Sequence, residues 1–554
     1  MDNRQAVYYG INIINNDNEC LCDITNVYTN ETKTFSDIKE FLDYIYSITN
    51  VYVYFYYYDL SGYGSAYLLD YLLSQGYEYI DNKTELVNNT FAANISKDNT
   101  WYSLSAKINN HTYTCYDAKN LLPSHNIDEL AEAFNIKGLT SQVIAKSLKE
   151  LNDIGINIKC ATLSSAVHTF YINSLKGPKE YVKYNDYPSK YKVWFEDKIT
   201  EDDDKFIREA FRGGSLYLNP KHAGKLLTNV KSIDVNSMFT AQMRNKSLPY
   251  GKPIIFKNIH TLEELREKIV YDCYIVNFTA SGKIKDSKLP ILSKRTGISG
   301  KVELVSECNS FEKWTLTNTE FELFLQNYDY KLLYINKIYA FRSREGMFND
   351  IIDLFYGLKQ KYTVENNTGK RLIAKMCLNA LFGRFGIKRN RVHKKAFIEN
   401  GEIFYSIGTT DKCNGCYLPV SVFVSAYARE YIIRTAQLFG NNLVYIDTDS
   451  IKYIEMELPK EIEISDTKLG AFKDEGKYTL AKFLKCKTYA GIENNKIKVV
   501  CAGLDISSRA QIKSLNEFEI GREITTYRTQ IINGKEEVVI GKFTIGAKIW
   551  IQKK

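Results

Sequence analysis

The sequence predicts an α+β protein of several domains, and three observations carry that prediction. At 554 residues the chain is too long for a single hydrophobic core. Residues 1 to about 175 alternate strand-like stretches, such as residues 51–58, with helix-like stretches, such as residues 36–48, which indicates an α/β domain. From Ile233 onward strands and helices are mixed and unevenly spaced, as in an α+β domain that carries insertions.

Composition and charge narrow the class of protein. Hydrophobic residues at 44% and charged residues at 25% are typical of a soluble globular chain, and no run of about 18 apolar residues predicts a membrane span. The amino terminus lacks the basic-then-apolar pattern of a signal peptide. We therefore expect an intracellular protein of the host-cell cytoplasm that is not secreted. A net charge of +8 is compatible with nucleic acid as a partner.

Cysteine and histidine usage argues against other classes. Eleven cysteines without the spacing of a disulfide framework fit a reducing compartment. Cys413 and Cys416 form an isolated CxxC, which is predicted to be a loop because a structural zinc needs four ligands. The six histidines have neither metal-ligand nor triad spacing, which argues against a histidine-based hydrolase.

Two acidic residues lie at the tip of a predicted β-hairpin. Residues 444–446 and 451–454 read as the two strands, and Asp447 and Asp449 lie between them. Because residues i and i+2 point to the same side, their carboxylates are expected to lie together. With Asp234, about two hundred residues upstream, they predict a site for two Mg²⁺ ions, which prefer oxygen ligands. The alternative is an ordinary acidic turn, since Asp and Ser are common turn formers.

The longest helix-like stretch is residues 347–385, and it is interrupted near residues 365–369. A polar stripe runs along its second half. Arg371, Lys375 and Asn379 lie one turn apart on one face of the predicted helix. Two cations and an amide along one stripe suit a triphosphate and a sugar. The alternative is a solvated basic face.

The order of these motifs along the chain resembles that of family B DNA polymerases. Within them it is most similar to the protein-primed branch of small linear-genome phages and linear plasmids. The matching stretches are DVNSMFTAQM, KMCLNALFGRFG, YIDTDS, KTY and the linker FRGG. The KTY stretch contains Lys487 and Tyr489, a cation and an aromatic hydroxyl on one side of a strand, which alone would read as an ordinary surface.

The resemblance implies a right-hand polymerase with palm, fingers and thumb, preceded by an RNase H-like α/β exonuclease-type domain. It predicts the exonuclease-like domain at residues 1–175 and the polymerase domain at residues 176–554. The predicted parts of the latter are the palm at about 176–245 and 419–500, the first insertion at 246–345, the fingers at 346–385, the second insertion at 386–418 and the thumb at 501–554.

The same resemblance assigns roles to individual residues. The implied catalytic and metal-binding residues are Asp234, Asp447 and Asp449, with two Mg²⁺ ions as cofactor and Mn²⁺ as a substitute. The implied nucleotide-binding residues are Phe239, Arg371, Lys375, Asn379 and Phe382, and the implied DNA-binding residues are Arg212, Gly213, Gly214, Tyr445, Lys487 and Tyr489. Phe239 falls where the family has a sugar-selecting tyrosine, so the ring is retained and the phenol hydrogen bond is lost. Phe382 also replaces a family tyrosine, and Ala380 a serine.

The resemblance also implies partners. These are primer–template DNA, deoxynucleoside triphosphates and a terminal priming protein, with the enzyme acting as a monomer away from membranes. In the family the two insertions surround the DNA, which gives processivity and strand displacement without a clamp or a helicase.

The N-terminal domain departs from the family pattern. The residues at the positions of the family's exonuclease carboxylates are Gly10, Asn12, Gly64 and Gln142, with Asp59 where the family has an asparagine. Uncharged side chains cannot hold a metal pair, so we expect a domain that keeps its fold and has lost 3′–5′ exonuclease activity. The alternative is that Asp17, Asp23 or Asp59 supplies the missing carboxylates.

The leading functional prediction is a DNA-directed DNA polymerase. It would add dNTPs to a 3′-hydroxyl by a two-metal mechanism, in protein-primed replication of a linear viral or plasmid genome, with strand displacement and without proofreading. One alternative is a polymerase of the same family that starts without a primer or from RNA. The other is a non-catalytic DNA-binding remnant, against which the intact carboxylates and Lys375 argue.

Overall fold

The chain divides into two compact units in a computed structural model, which describes residues 6–16, 19–61, 63–81, 83–123, 126–176, 189–296, 301–399, 402–412, 417–532 and 535–546. The first unit comprises Met1–Glu196 and Asp350–Cys416, and the second comprises Asp197–Asn349 and Tyr417–Lys554. The CxxC segment, predicted to be a loop, lies outside the described residues.

The strands are β1 (Ala6–Asn16), β2 (Glu19–Asn26), β3 (Thr32–Phe35), β4 (Tyr52–Tyr57), β5 (Glu78–Tyr79), β6 (Thr90–Ser96), β7 (Trp101–Ile108), β8 (His111–Asp117), β9 (Ser215–Leu218), β10 (Leu226–Val235), β11 (Leu248–Phe256), β12 (Cys273–Ile284), β13 (Ser293–Thr296), β14 (Lys301–Leu304), β15 (Glu307–Thr317), β16 (Tyr328–Arg344), β17 (Asn390–Glu399), β18 (Glu402–Lys412), β19 (Leu443–Thr448), β20 (Ser450–Ile454), β21 (Phe472–Lys485), β22 (Thr488–Glu493), β23 (Lys496–Cys501), β24 (Glu523–Ile532) and β25 (Lys535–Thr544).

The helices are α1 (Ile38–Tyr46), α2 (Tyr63–Ser74), α3 (Ala118–Leu121), α4 (Ile127–Phe134), α5 (Thr140–Asp153), α6 (Leu163–Ser174), α7 (Lys190–Trp194), α8 (Glu201–Glu209), α9 (Met238–Asn245), α10 (Leu262–Lys268), α11 (Asn318–Asn327), α12 (Asn349–Val364), α13 (Thr368–Phe385), α14 (Leu418–Gln437) and α15 (Ile506–Arg509). Single 3₁₀ turns lie at Lys83–Glu85 and Gly440–Asn442.

One large sheet organises the first unit. Within its described residues, ten strands join in the order β18-β17-β6-β7-β8-β4-β1-β2-β3, and β5 pairs with β6. β1, β4 and β8 are parallel neighbours, whereas β2 and β3 continue from β1 as antiparallel strands. Parallel central strands with an antiparallel extension and helical cover are the RNase H-like α/β arrangement that the sequence predicts.

Residue type explains the centre of this sheet. β4 reads YVYFYY, and such aromatic and β-branched residues favour extended backbone. Val53, Phe55 and Tyr56 are all buried, so both faces of β4 are covered, as parallel strands require. At the start of α1, the side chain of Asp37 accepts a hydrogen bond from the backbone N–H of Glu40 at 2.7 Å, which caps the helix.

The predicted interruption of the longest helix is confirmed, because α12 and α13 are separate helices. Asn366 has a left-handed backbone with φ of 53°, and Asn367 caps α13 by accepting a hydrogen bond from the N–H of Lys370 at 3.1 Å. Gly369 allows close packing of α13 on α4, since a Cβ there would overlap the ring of Phe134.

The second unit is built on an antiparallel sheet. Within its described residues, seven strands join in the order β23-β22-β21-β10-β20-β19-β9. One face packs on α14, where Ile432 and Ala436 join Ile446 and Ile451 in a buried cluster. Strand residues one position away point to the opposite face. The predicted hairpin strands at residues 444–446 and 451–454 are confirmed as β19 and β20.

Two β elements lie within the residues that are predicted from the sequence to be insertions. β11, β16, β12 and β15 form an antiparallel sheet in the second unit, with its own apolar core that includes Phe278, Phe321 and Phe324. In the first unit, the β17–β18 hairpin extends the large sheet through the pairs His393–Ser96 and Lys394–Ile95. The residue boundaries of palm, fingers, thumb and insertions stay predictions.

Among the described helices, none combines the length and the apolar character that crossing a membrane requires.

Candidate active site

The hairpin between β19 and β20 is unusually tight. The backbone N–H of Asp449 donates a hydrogen bond to the carbonyl of Asp447 at 2.7 Å, across Thr448 with a φ of 61°. This is a three-residue turn of positive φ, which is rare and strained for a residue with a branched side chain. Strain of this kind is maintained at functional sites when the surrounding structure enforces it. The turn brings both acidic residues to one end of the sheet.

Strand register adds the third carboxylate. Asp234 on β10 lies opposite Ser450 on β20, and Ser450 lies opposite Asp447 on β19. Directly opposed residues in a sheet share a face, so Asp234 and Asp447 flank Ser450 on the face away from α14. The N–H of Val235 donates to the carbonyl of Asp449 at 2.9 Å, which fastens the turn to β10. The structure therefore brings the three predicted acidic residues together.

Asp447 is tied to the motif that contains Lys487. Its Oδ2 accepts a hydrogen bond from the hydroxyl of Tyr445 at 3.0 Å, and its Oδ1 pairs with Nζ of Lys487 at 3.0 Å. The backbone N–H of Lys487 in turn donates to the Tyr445 hydroxyl at 2.8 Å. Burial raises the pKa of Tyr445, so the phenol stays protonated and able to donate. Both oxygens of Asp447 are thus held by the protein.

Asp449 is in a different electrostatic environment. Burial raises the pKa of its carboxyl, and the charges of Asp447 and Glu475 raise it further, while Lys452 opposes them. Lys452 is 5% exposed, and Glu475 occupies a β-bulge where β21 changes register against β10. Sequence reasoning missed both residues. The alternation of β20 was a usable signal, since it places Lys452 on the same face as Ser450.

The available donors fit an ion that arrives with its substrate. Within the described residues, no group of three or more His, Cys, Asp and Glu side chains is arranged to hold a metal ion by itself. Asp234 and Asp449 provide carboxylate oxygens on adjacent backbone segments, while Asp447 is paired with Lys487. Mg²⁺ is usually bound through one or two carboxylates together with water and substrate phosphates. Asp234 and Asp449 therefore suit a magnesium–nucleotide complex.

The FRGG linker contacts the hairpin turn. A Cβ built on Gly214 would lie 2.5 Å from Cγ2 of Thr448, so only glycine fits there without a shift. The guanidinium of Arg429 donates hydrogen bonds to two linker carbonyls, that of Arg212 at 2.7 Å and that of Gly213 at 2.8 Å. These bonds hold the linker backbone. Arg429 also pairs with the buried Glu320 at 2.8 Å. Sequence reasoning identified the linker but not these two residues that fix it.

Arg212 was predicted to bind DNA, and its side chain lies inside the second unit. Its guanidinium donates to the carbonyl of Thr315 at 3.1 Å and lies 3.7 Å from Glu320. The side chain is 16% exposed. Its contacts in the structure are those of a residue that joins the linker to the first insertion.

The remaining predicted positions of the second unit lie close to this sheet. Phe239 is half-buried in the first turn of α9 and packs against the apolar cluster under β10 and β20. Tyr489 is buried on β22, and its ring stacks on Phe483 with centroids 5.1 Å apart. Tyr445 is buried beside them, with its ring centroid 5.5 Å from that of Tyr489. An aromatic group therefore supports the Lys487 side of the site.

The predicted nucleotide-binding stripe lies on α13 in the first unit. Lys375 and Asn379 are exposed, and Arg371 and Phe382 are half-buried. The opposite side of α13 is apolar and buried, and it packs mainly on α6. Lys375 and Asn379 line a cavity of about 530 Å³ together with Lys119, Asn120, Ser164 and Glu129. Lys375 and Asn379 are thus presented to a cavity of mixed polar and apolar lining rather than used in packing.

Comparison with known proteins identifies the family. The model of the family described as DNA polymerase type B, organellar and viral, matches residues 138–467. The chain belongs to this family. It is 28% identical to the DNA polymerase of Bacillus phage Nf over 457 residues, which cover 76% of each chain. It is 27% identical to that of Bacillus phage B103 over 532 residues, 87% of this chain and 89% of the relative.

A solved structure of another DNA polymerase shares the fold. Phi29 DNA polymerase complexed with primer–template DNA and incoming nucleotide substrates superposes with a TM-score of 0.82 at 22% identity, over 97% of this chain and 100% of that one. The predicted fold class is thereby confirmed. So is the prediction of a family B DNA polymerase related to the protein-primed phage enzymes. The roles of individual residues are not tested by these similarities.

At Gly10, the first of the predicted exonuclease positions in this polymerase, a neighbouring backbone segment occupies the space that a side chain would need. Gly10 lies under α5, and a Cβ there would overlap the carbonyl oxygen of Ser141. Asn12 donates from Nδ2 to Oδ2 of Asp23 at 3.0 Å, and the backbone N–H of Ser141 donates to Oδ1 of Asp23 at 2.9 Å. Asp23 is fully buried, and its hydrogen bonds join β1, β2 and α5. Its carboxylate therefore serves packing at this position.

At Gly64, the second of the predicted exonuclease positions, an aromatic ring occupies the space that a side chain would need. A Cβ on Gly64 would overlap the side chain of Tyr57. Asp59 pairs with Lys119 at 2.8 Å; burial raises the pKa of this aspartate, but hydrogen bonds from Lys119 and Ser61 lower it below its ordinary value. Beside it, Asp117 caps α3, and burial raises its pKa to about 6.

The third predicted exonuclease position, Gln142, has a structural contact. Gln142 donates from Nε2 to the hydroxyl of Thr32 at 3.3 Å, so it bridges α5 and β3. Asp17, one of the alternative carboxylates, lies outside the described residues.

Substituting Gly214 tests the contact between the linker and the hairpin turn. In Gly214→Ala the new methyl group must displace Thr448 and with it Asp449. We expect the single-turnover rate of primer extension, measured at saturating primer–template, to fall by up to about a hundredfold. Gly213→Ala is the matched control, because no atom lies within 4 Å of a Cβ built there. Equal losses in the two variants would mean that linker flexibility, not the contact with Thr448, is what matters.

Proposed function

We propose that this enzyme extends a primer 3′-hydroxyl on a DNA template with Asp234 and Asp449 as its metal ligands. The observation that carries the proposal is the strand pairing and turn that bring Asp234 and Asp449 to one end of the sheet, beside Asp447, whose carboxylate pairs with Lys487. The fold shared with a polymerase complexed with primer–template DNA and incoming nucleotide supports the choice of substrates.

The proposed reaction is attack of the primer hydroxyl on the α-phosphate of a dNTP, with pyrophosphate leaving in line. When bound, two divalent ions lower the pKa of the attacking hydroxyl and neutralise the leaving pyrophosphate. The protein's own contribution is positioning and charge. Asp234 and Asp449 supply fixed negative charge, while Arg371 and Lys375 supply positive charge for the triphosphate.

Lys487 and Tyr489 are proposed to hold the primer end. In the structure Lys487 is half-exposed and pairs with Asp447, so its ammonium is already directed to the catalytic end of the sheet. A primer phosphate would compete for the same ammonium. Phe239 is proposed to exclude a ribose 2′-hydroxyl by steric contact alone, because a phenylalanine ring offers no hydrogen bond.

We propose that the N-terminal domain does not hydrolyse DNA. The support is local: Gly10 and Gly64 have no room for a side chain, and Asp23 is buried in a hydrogen-bonded packing contact. Asp59 is neutralised by Lys119. A two-metal nuclease needs carboxylates that converge on open space, and the described residues do not supply them at these positions.

We also propose that replication is protein-primed and proceeds with strand displacement. Similarity to phage DNA polymerases over most of the chain supports this, as do the two inserted β elements. A polymerase that starts without a primer or from RNA is the alternative. Initiation assays on a linear template, with a protein hydroxyl donor, an RNA primer or neither, separate these possibilities.

Asp449→Asn tests the polymerase site. The substitution removes one negative charge and keeps the size, so extension of a 5′-labelled primer in Mg²⁺ should fall by at least about a thousandfold. Asp329→Asn, an exposed residue on β16, is the matched control and should extend normally. Extension by Asp449→Asn at the wild-type rate would exclude this carboxylate as a ligand. A wild-type protein that binds DNA and never extends it would favour the non-catalytic remnant.

The exonuclease proposal is tested with the same labelled primer, carrying a 3′ mismatch, in Mg²⁺ without dNTPs. We expect no shortening by the wild-type protein, and no difference between wild type and Asp23→Asn. Shortening that disappears in Asp23→Asn or Asp59→Asn would show that an alternative carboxylate set is in use.

A further inference from the structure

Lys452 is a buried cation beneath the carboxylates. It lies two residues after Ser450 on β20, so its side chain shares the face of Asp234 and Asp447. The residue is 5% exposed. It is absent from the motifs that the resemblance highlights, and nothing in the proposed reaction uses it.

The ammonium of Lys452 is held by hydroxyl groups and an aromatic ring. Within the described part of the chain, its Nζ donates hydrogen bonds to two hydroxyls, those of Ser232 at 3.3 Å and Ser450 at 3.4 Å. The ring of Tyr489 lies with its centroid 5.4 Å from Nζ, which adds a favourable cation–π contact. These contacts fix the ammonium at one level of the sheet, one step below the row of carboxylates.

Four carboxylates favour the charged form of this lysine. Burial lowers its pKa, and the negative charges of Glu475, Asp447, Asp234 and Asp449 oppose that effect. A buried ammonium is costly to desolvate, and an apolar side chain of the same length would usually pack at this position at no loss of stability. A charge at this position therefore calls for a reason other than packing.

We propose that Lys452 is a positioning residue that sets the affinity of Asp234 and Asp449 for divalent ions. The proposal rests on the function proposed above for these two aspartates. A fixed positive charge beneath them offsets their mutual repulsion and keeps them at the spacing of the sheet. It also weakens their attraction for an ion that arrives alone, so that tight binding requires the additional negative charge of a nucleotide triphosphate. Lys452 thus couples ion binding to nucleotide binding.

Binding of Mn²⁺ to the protein without DNA or nucleotide tests this coupling. Mn²⁺ is followed by the electron paramagnetic resonance signal of the unbound ion, and the component that disappears in Asp449→Asn is assigned to the site. Lys452→Met removes the charge and keeps the length. We expect the Asp449-dependent affinity to increase by at least about tenfold, because a nearby positive charge repels a divalent ion even where water screens the interaction. Lys452→Arg should keep the wild-type affinity.

A matched control separates charge at the site from charge in the sheet. Lys482 on β21 is also largely buried, with a side chain 12% exposed, and it pairs with Glu519 at 3.2 Å. Lys482→Met should leave Mn²⁺ affinity unchanged. In an Asp449→Asn background, Lys452→Met should have no effect, because interacting residues give non-additive changes.

Each outcome decides between the two proposals. If Asp449→Asn binds Mn²⁺ like the wild type, the proposed metal site is wrong. If Asp449→Asn loses binding and folded Lys452→Met matches the wild type, the site stands and the role of Lys452 is wrong. Lys452→Gln is a second neutral variant, and circular dichroism reports the folding of both. Failure of both to fold would assign Lys452 to the fold alone and overturn the proposal.

Discussion

The register between β10 and β20 is the constraint on which the proposed active site depends. It places Asp234 opposite Ser450, and thereby beside the turn that contains Asp447 and Asp449. A slip of one residue would turn Asp234 toward α14 and expose Ile233. The apolar cluster under α14 opposes such a slip, because Ile233 and Ile451 are buried in it. Packing on one face of the sheet therefore determines the chemistry available on the other.

The two units treat buried carboxylates in opposite ways. In the second unit, acidic side chains gather at the end of a sheet, and their repulsion is moderated by Lys487 and by the more deeply buried Lys452. In the first unit, Asp23 is turned inward and its charge is satisfied by a backbone N–H and an amide. The arrangement in the second unit leaves negative charge that a cation could neutralise. In the first unit, the charge of Asp23 is already satisfied by its hydrogen bonds. Under the proposed loss of exonuclease activity, the sheet of this domain still has a structural role, since it anchors the β17–β18 hairpin.

The sequence predicted the structural features that depend on local pattern. The hairpin, the interrupted helix and the α/β organisation of the N-terminal region all follow from alternation, from Asn and Gly signals and from helical spacing. It did not predict contacts that depend on long-range pairing. Arg429 reads as part of an apolar helix until its partners Arg212 and Glu320 are known, and Glu475 becomes directed to the site by a bulge that only strand pairing reveals. Arg212 was predicted from its motif to contact DNA, and the structure uses its side chain internally.

The most direct test of the central claim is an anomalous difference map from crystals grown with Mn²⁺, primer–template DNA and a non-hydrolysable deoxynucleotide. We expect Mn²⁺ peaks within about 2.5 Å of carboxylate oxygens of Asp234 and Asp449, and none beside Gly10 and Asn12. We also expect the carboxylate of Asp447 to keep its hydrogen bond with Tyr445. A strong peak in the N-terminal domain, or one bound by Asp447 alone, would contradict the assignment of a single metal-dependent centre to the end of the seven-stranded sheet.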